Sequence, residues 1–149
     1  MSERTGADSQ AGSACCIWLA PIYQFKELQQ LTRQTDRIST ILVKDFYLTD
    51  SLSRNERLHL LQSSTILKLD TLNSLAKKIA GLTLPKKQKE VAEIRSKIIR
   101  LEGEMYGLLY KEFVEKDKTK YRDKVYAITQ QINDLRFEWG KMEQASEKD

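Results

Sequence analysis

The sequence has few of the residues that punctuate β-structure. Its 149 residues include two prolines and six glycines, whereas a β-sandwich needs a turn about every ten residues. No stretch approaches the roughly 18 consecutive apolar residues of a membrane-spanning helix. The first residues also lack the apolar run of a secretory signal. We therefore expect neither an all-β fold nor a membrane span nor secretion.

Cysteine and histidine are equally scarce. Cys15 and Cys16 are adjacent and cannot join distant parts of a fold, so we expect an intracellular location, cytoplasmic or nuclear. A zinc site needs about four clustered ligands, and these two residues and the single His59 are not spaced for one. No glycine-rich phosphate loop is present, and no acid–base pair marks a cleft. We expect no catalytic residue, metal or cofactor, and therefore no enzyme.

Charge is abundant but mixed, with 25 basic and 21 acidic residues and a net charge of +4. This balance is typical of solvated helix faces rich in Lys and Glu. Two basic clusters occur, at 86–89 and 116–124, and acidic residues interrupt the second. A nucleic-acid binder normally presents an unbroken basic face with aromatic platforms. Nucleic acid is therefore not an expected partner.

What the chain does contain is helical periodicity, with apolar residues every three or four positions. A first helix is expected to begin at Pro21, because proline is tolerated in a first turn. Ser53 and Glu56 have the spacing of a capping box and predict the start of a second helix. This helix is apolar on more than one face, so we expect neighbours on two sides. Gly81 is expected to end it, because glycine tolerates a left-handed backbone.

The third helix is predicted to begin near Pro85 and to carry two apolar stripes. One comprises Val91, Ile94, Ile98, Leu101, Met105 and Leu108; the other comprises Ile99, Tyr106, Leu109 and Phe113. Each glycine within a helix costs about 1 kcal/mol relative to alanine. Gly103 and Gly107 therefore indicate close approach of another helix.

The heptad register changes across the charged stretch between residues 115 and 124, which favours a separate fourth helix or a jog in a long one. The sequence thus predicts an all-α protein, a three- to four-helix antiparallel bundle or coiled coil with a disordered N-terminal tail. We expect a tail at 1–20, a bundle core at 21–114 and a C-terminal amphipathic helix at 118–143. The tail contains a short apolar patch, in which Cys15 or Cys16 is a candidate lipidation site.

The most regular stripe lies in the fourth helix and is the best candidate partner-binding surface. It comprises Tyr121, Val125, Ile128, Ile132, Leu135 and Trp139. If the three preceding helices close a core without it, an exposed apolar stripe would bind a helix of another protein. Two further outcomes are a closed four-helix bundle that buries the stripe, and a homo-oligomer. The leading functional hypothesis is a non-catalytic adaptor or structural subunit.

The middle of the chain resembles the BAG domain, a three-helix module of co-chaperones. The similar stretches run from Leu58 to Leu61, from Ile66 to Leu72 and from Lys86 to Arg95. The resemblance, over 22–110, implies binding to the ATPase domain of the seventy-kilodalton heat-shock chaperone and accelerated nucleotide exchange.

By position in the BAG-like stretches, the chaperone-binding residues would be Asp70, Lys87 and Arg95. The family's second acid is replaced by Leu60, and its usual glutamine by Arg95. By physics alone, Asp70 is equally a surface residue paired with Lys77 or Lys78.

Overall fold

A computed structural model describes the backbone of residues 14–146 and the side chains of residues 24–145. This part of the chain is all-α, without a β-strand. Its elements are α1 (Ala14–Tyr47), α2 (Arg54–Leu60), a π-helical turn (Leu61–Thr65), α3 (Ile66–Ala80), α4 (Lys86–Glu115) and α5 (Arg122–Ser146). None of the described helices is long and apolar enough to cross a lipid bilayer.

The first helix begins earlier than the sequence indicated. α1 starts at Ala14, seven residues before Pro21, so the assumption that proline marks the first turn was wrong. The preceding residues, Ala14 to Ala20, are compatible with helical geometry, and α1 is continuous through Pro21. The predicted disordered tail falls partly on residues 1–13, which lie outside the described residues.

The second predicted helix begins as expected. The Ser53 hydroxyl accepts a hydrogen bond from the Glu56 amide at 3.3 Å, and the Glu56 carboxylate accepts one from the Ser53 amide at 2.8 Å. This confirms the capping box. These hydrogen bonds also hold the pKa of Glu56 below its usual value. The helix then passes through the π-helical turn, where the Thr65 hydroxyl donates to the buried Asp45 of α1 at 3.2 Å.

Three helices, α1, α3 and α4, form the core. α1 and α4 run in the same direction, as the pairs Ser39–Glu102 and Phe46–Tyr106 show. α3 runs against both, since Lys89 near the start of α4 donates to Ala80 at the end of α3, whereas Ser96, farther along α4, donates to Ala76, farther back in α3. The fully buried residues at the centre are Leu42, Leu61, Leu72, Ala76, Ile79 and Ala92. We call this group, with its surrounding apolar side chains, the three-helix core.

The glycines behave differently from the sequence expectation. Gly81 does follow α3, but its φ is −84°, in the right-handed region. The α3 carbonyls are satisfied instead by the Gly81 amide and by Lys89, whose ammonium donates to Ala80 at 2.7 Å. A Cβ atom added at Gly103 or at Gly107 would have no neighbouring atom within 4 Å. The expected close helix approach was therefore wrong, because the inter-helix contacts on α4 lie at larger side chains.

A turn separates α5, the predicted fourth helix, from α4, the predicted third helix. Lys116 adopts a left-handed conformation, with φ of 58°, and ends α4. The Asp117 carboxylate then accepts hydrogen bonds from the amides of Thr119 and Lys120. Of the two predicted alternatives, a separate helix or a jog in a long one, the turn supports the separate helix, and α5 begins at Arg122 rather than at 118. α5 runs antiparallel to α4, with Thr129 beside Met105 and Trp139 beside Arg95.

Candidate protein-interaction surfaces

The predicted partner-binding stripe of α5 lies on one face of that helix and packs against α4. Ile128 and Ile132 are 5% and 3% exposed. They contact the α4 stripe formed by Ile94, Ile98 and Leu108. The remaining members are half-buried against the same cluster: Tyr121, Val125, Leu135 and Trp139. Within the single chain the stripe is occupied, as in the closed-bundle alternative, and partners would meet its edges rather than its centre.

The packing of α5 forms a second apolar cluster, distinct from the three-helix core. Every buried apolar residue that the structure describes in α5 belongs to this α4–α5 cluster. None of them belongs to the three-helix core. α4 therefore uses both of its predicted stripes, one towards α1 and α3 and the other towards α5. Since α5 has one principal neighbour, a groove runs along each of its sides.

The α1–α5 groove is the more apolar of the two. It has α4 as its floor and α1 and α5 as its walls. At the wide end, a cavity of about 490 Å³ is lined by Phe25 and Leu28 of α1, Val91 of α4 and Met142 of α5. Phe25 is 41% exposed there. A second cavity of about 370 Å³ continues the groove past Val43 and Trp139.

A polar network lines the second cavity and joins all three helices. The Arg95 guanidinium donates to the Asp36 carboxylate of α1 and lies over the Trp139 ring of α5, 4.7 Å from its centroid. Arg136 of α5 donates to Glu102 of α4 at 2.6 Å. Cation–π contacts and charge-assisted hydrogen bonds of this kind are directional. The network therefore fixes the spacing of the groove walls.

Glu102 is the member that sequence reasoning missed. Its carboxylate is buried and also accepts a hydrogen bond from the Ser39 hydroxyl at 3.0 Å. A local signal was available, because its neighbours three and four positions away are all apolar: Ile98, Ile99, Met105 and Tyr106. Burial, assisted by the nearby Glu102 charge, raises the pKa of Tyr106 to about 12.

The groove retains hydrogen-bonding capacity that no described residue uses. Arg95 Nε and Trp139 Nε1 are buried and have no partner. Both belong to residues that line the α1–α5 groove. An unpaired buried donor carries a desolvation cost of about 1–3 kcal/mol.

The α3–α5 groove, on the other side of α5, is more polar. Charged and amide side chains line it: Asn73, Lys97, Arg100, Glu104, Gln131 and Asp134, with the apolar Leu101 and Leu135. Asp70 is exposed beside this groove, near Arg100. The α5 surface that faces away from α4 carries two exposed aromatic residues, Tyr126 and Phe137.

The three residues implied by the BAG resemblance do not share one surface. Asp70 borders the α3–α5 groove, whereas Lys87 and Arg95 line the α1–α5 groove. The body of α4 separates the two sides. Arg95 is also engaged by Asp36 and Trp139.

No group of three or more His, Cys, Asp or Glu side chains within residues 24–145 is arranged to hold a metal ion.

Comparisons of the chain with protein-family models, with curated proteins and with solved structures return no match.

Proposed function

We propose that this protein is a non-catalytic interaction module, an adaptor or structural subunit, that binds an amphipathic helix of a partner in the α1–α5 groove. The observation that carries the proposal is that the buried apolar residues of α5 pack against α4, which leaves an apolar channel between the α1 and α5 walls. Helix-in-groove recognition uses such a channel, with apolar anchors spaced three or four residues apart.

The shape and lining of the groove favour a helix over an extended peptide. Its walls are two antiparallel helices, and the sheet edge that an extended strand would need is absent from residues 14–146. The apolar side chains at its wide end suit leucine-type anchors; they are Phe25, Leu28, Val91 and Met142. Polar groups at the next cavity, including Arg136 and Asp36, suit a partner helix with charged flanks. The predicted stripe contributes Trp139 to this groove.

Affinity purification with mass spectrometry tests the proposal through a pair of matched variants. Phe25→Asp places a carboxylate at the wide end of the groove, whereas Phe137→Asp places one on the outer face of α5. Phe137 is the more exposed of the two, at 66%. We expect specific partners of the wild-type chain to be lost with Phe25→Asp and retained with Phe137→Asp.

Two results would contradict the proposal. One is the absence of any partner that depends on Phe25. The other is selective loss of partners with Phe137→Asp, which would move the binding surface to the outer face of α5. Circular dichroism must first show equal helicity in both variants. Light scattering on the purified chain distinguishes self-association, since a homo-oligomer would change mass without any other protein.

A BAG-like co-chaperone remains the second proposal. It is supported by the antiparallel α3–α4 pair and by the exposure of Asp70 on α3. If it is correct, the protein accelerates ADP release from the seventy-kilodalton chaperone, and Asp70→Arg abolishes the acceleration. Unchanged ADP release in the presence of the wild-type protein would end this proposal and leave the groove proposal intact.

A further inference from the structure

One end of the bundle carries a concentrated positive charge. The segment from Lys77 to Lys89 contains five lysines and no acidic residue. Lys77 and Lys78 occupy the last turn of α3, and Lys86 and Lys87 the first turn of α4. Since α3 and α4 are antiparallel neighbours, the short turn at 81–85 brings these two pairs to the same end of the molecule. We call this surface the basic turn.

Three lysines of the basic turn present their side chains to solvent. Lys77, Lys78 and Lys86 are exposed, and none of them forms an ion pair within the described residues. The Lys89 ammonium donates hydrogen bonds to the carbonyls of Ala80 and Leu82. A surface that concentrates one sign of charge attracts polyanions.

At the opposite end, acidic residues stand among the lysines. Lys120 pairs with Glu115 at 2.9 Å, and Lys124 pairs with Glu104 at 3.0 Å. The Asp117 carboxylate lies in the same turn. The two basic clusters of the sequence therefore differ in composition, since Glu115, Asp117 and Asp123 accompany the second cluster and no acidic residue lies between Lys77 and Lys89.

The start of α1 emerges beside the basic turn. The Gln24 side-chain oxygen accepts a hydrogen bond from the Thr83 amide, in the middle of that turn. Upstream of Gln24 the α1 backbone continues for ten residues, to Ala14, a length of about 15 Å. The sequence of this extension, ACCIWLAPIY, contains no charged residue. An uncharged helical segment thus adjoins an exposed cluster of lysines.

We propose that the basic turn docks on an anionic lipid surface. Clusters of four to eight basic residues next to apolar segments bind acidic headgroups electrostatically, and weak apolar contact adds to that attraction. Nucleic acid is the less favoured polyanion, because the segment 77–89 contains no aromatic residue on which a base could stack. Lys87 borders the cavity that Phe25 and Met142 line, but Lys77, Lys78 and Lys86 lie outside that lining, so changing these three tests lipid docking separately from the proposed helix binding.

Vesicle co-sedimentation of the full, unmodified chain tests this proposal. The probes are phosphatidylcholine vesicles with and without phosphatidylserine, at low and high salt. The test variant is Lys77→Glu/Lys78→Glu/Lys86→Glu. The control is Lys44→Glu/Lys111→Glu/Lys118→Glu, which reverses three exposed lysines nearer the other end and gives the same net charge. Circular dichroism confirms that both variants fold.

We expect the wild type to bind only the phosphatidylserine vesicles and to dissociate at high salt. The test variant should bind about a hundredfold more weakly, and the control within a few-fold of wild type. The proposal is overturned if the wild type does not bind these vesicles, or if both variants lose binding equally. It is also overturned if a duplex RNA competes the chain off the vesicles and binds more tightly at the same salt.

Discussion

Truncation of Ile132 offers a direct test of how α5 is attached. Ile132 is 3% exposed and packs on the α4 stripe near Ile98. Replacing a buried isoleucine with alanine costs about 2–5 kcal/mol. Since α5 supplies no buried apolar residue to the three-helix core, that cost should fall on the attachment of α5 alone. Ile132→Ala should therefore release α5 and leave the core folded.

Hydrogen exchange followed by mass spectrometry reads this effect segment by segment. In Ile132→Ala, peptides from α5 (122–146) should lose protection by the factor that corresponds to about 2–5 kcal/mol. Peptides from α3 (66–80) should keep wild-type protection. Leu72→Ala is the contrasting variant, because Leu72 is fully buried in the three-helix core, and it should lower protection throughout.

A matched surface variant completes this design. Phe137→Ala removes a larger side chain from the same helix, but one that is mostly exposed, so exchange in α5 should change little. The reasoning is refuted if Ile132→Ala accelerates exchange in α3 as much as in α5. That result would mean that the two clusters unfold as one cooperative unit.

Three further predictions follow from single residues. Gly103→Ala and Gly107→Ala should each raise the free energy of unfolding by about 1 kcal/mol, since neither added methyl meets a neighbour; a drop in urea midpoint would show a missed contact. Ser53→Ala should lower it by about 1 kcal/mol through loss of the capping box with Glu56, and unchanged chemical denaturation would contradict the role of the cap. Tyr106 has a folded-state pKa of about 12, above the unfolded value of about 10. Its contribution to the free energy of unfolding is therefore complete below pH ~10 and is lost as the pH rises towards the folded-state pKa. Ultraviolet absorbance titration should show one tyrosine that ionises with a pKa of about 12, and Tyr106→Phe should remove that transition.

Local features were the most predictable part of the fold. The capping box uses two residues three positions apart, Ser53 and Glu56, so the spacing alone specified it. The two apolar stripes of α4 were equally predictable from the spacing of apolar residues, and each packs in a different cluster in the structure. The register change after Glu115 favoured a separate fourth helix or a jog in a long one, because a straight continuous helix could not have kept both stripes in one line, and the turn at Lys116 selects the first.

Features that depend on distant partners were not predictable in this way. Glu102 accepts hydrogen bonds from Ser39 of α1 and Arg136 of α5, and no spacing within α4 identifies these two partners. Asp45 is similar, since its partner Lys68 lies 23 positions away. The occupant of the α5 stripe was also undetermined, because an apolar face specifies burial but not whether α4 or another protein provides it.

Site-specific photo-crosslinking tests the central claim, that a partner helix binds in the α1–α5 groove. Benzoylphenylalanine replaces Phe25 in the groove or, as a control, Phe137 on the outer face of α5. Illumination of cells that express each form is followed by mass spectrometry of the covalent adducts. The account predicts a discrete adduct with a helical segment of another protein at position 25 and none at position 137. An adduct at position 137 alone, or at neither position, would contradict it.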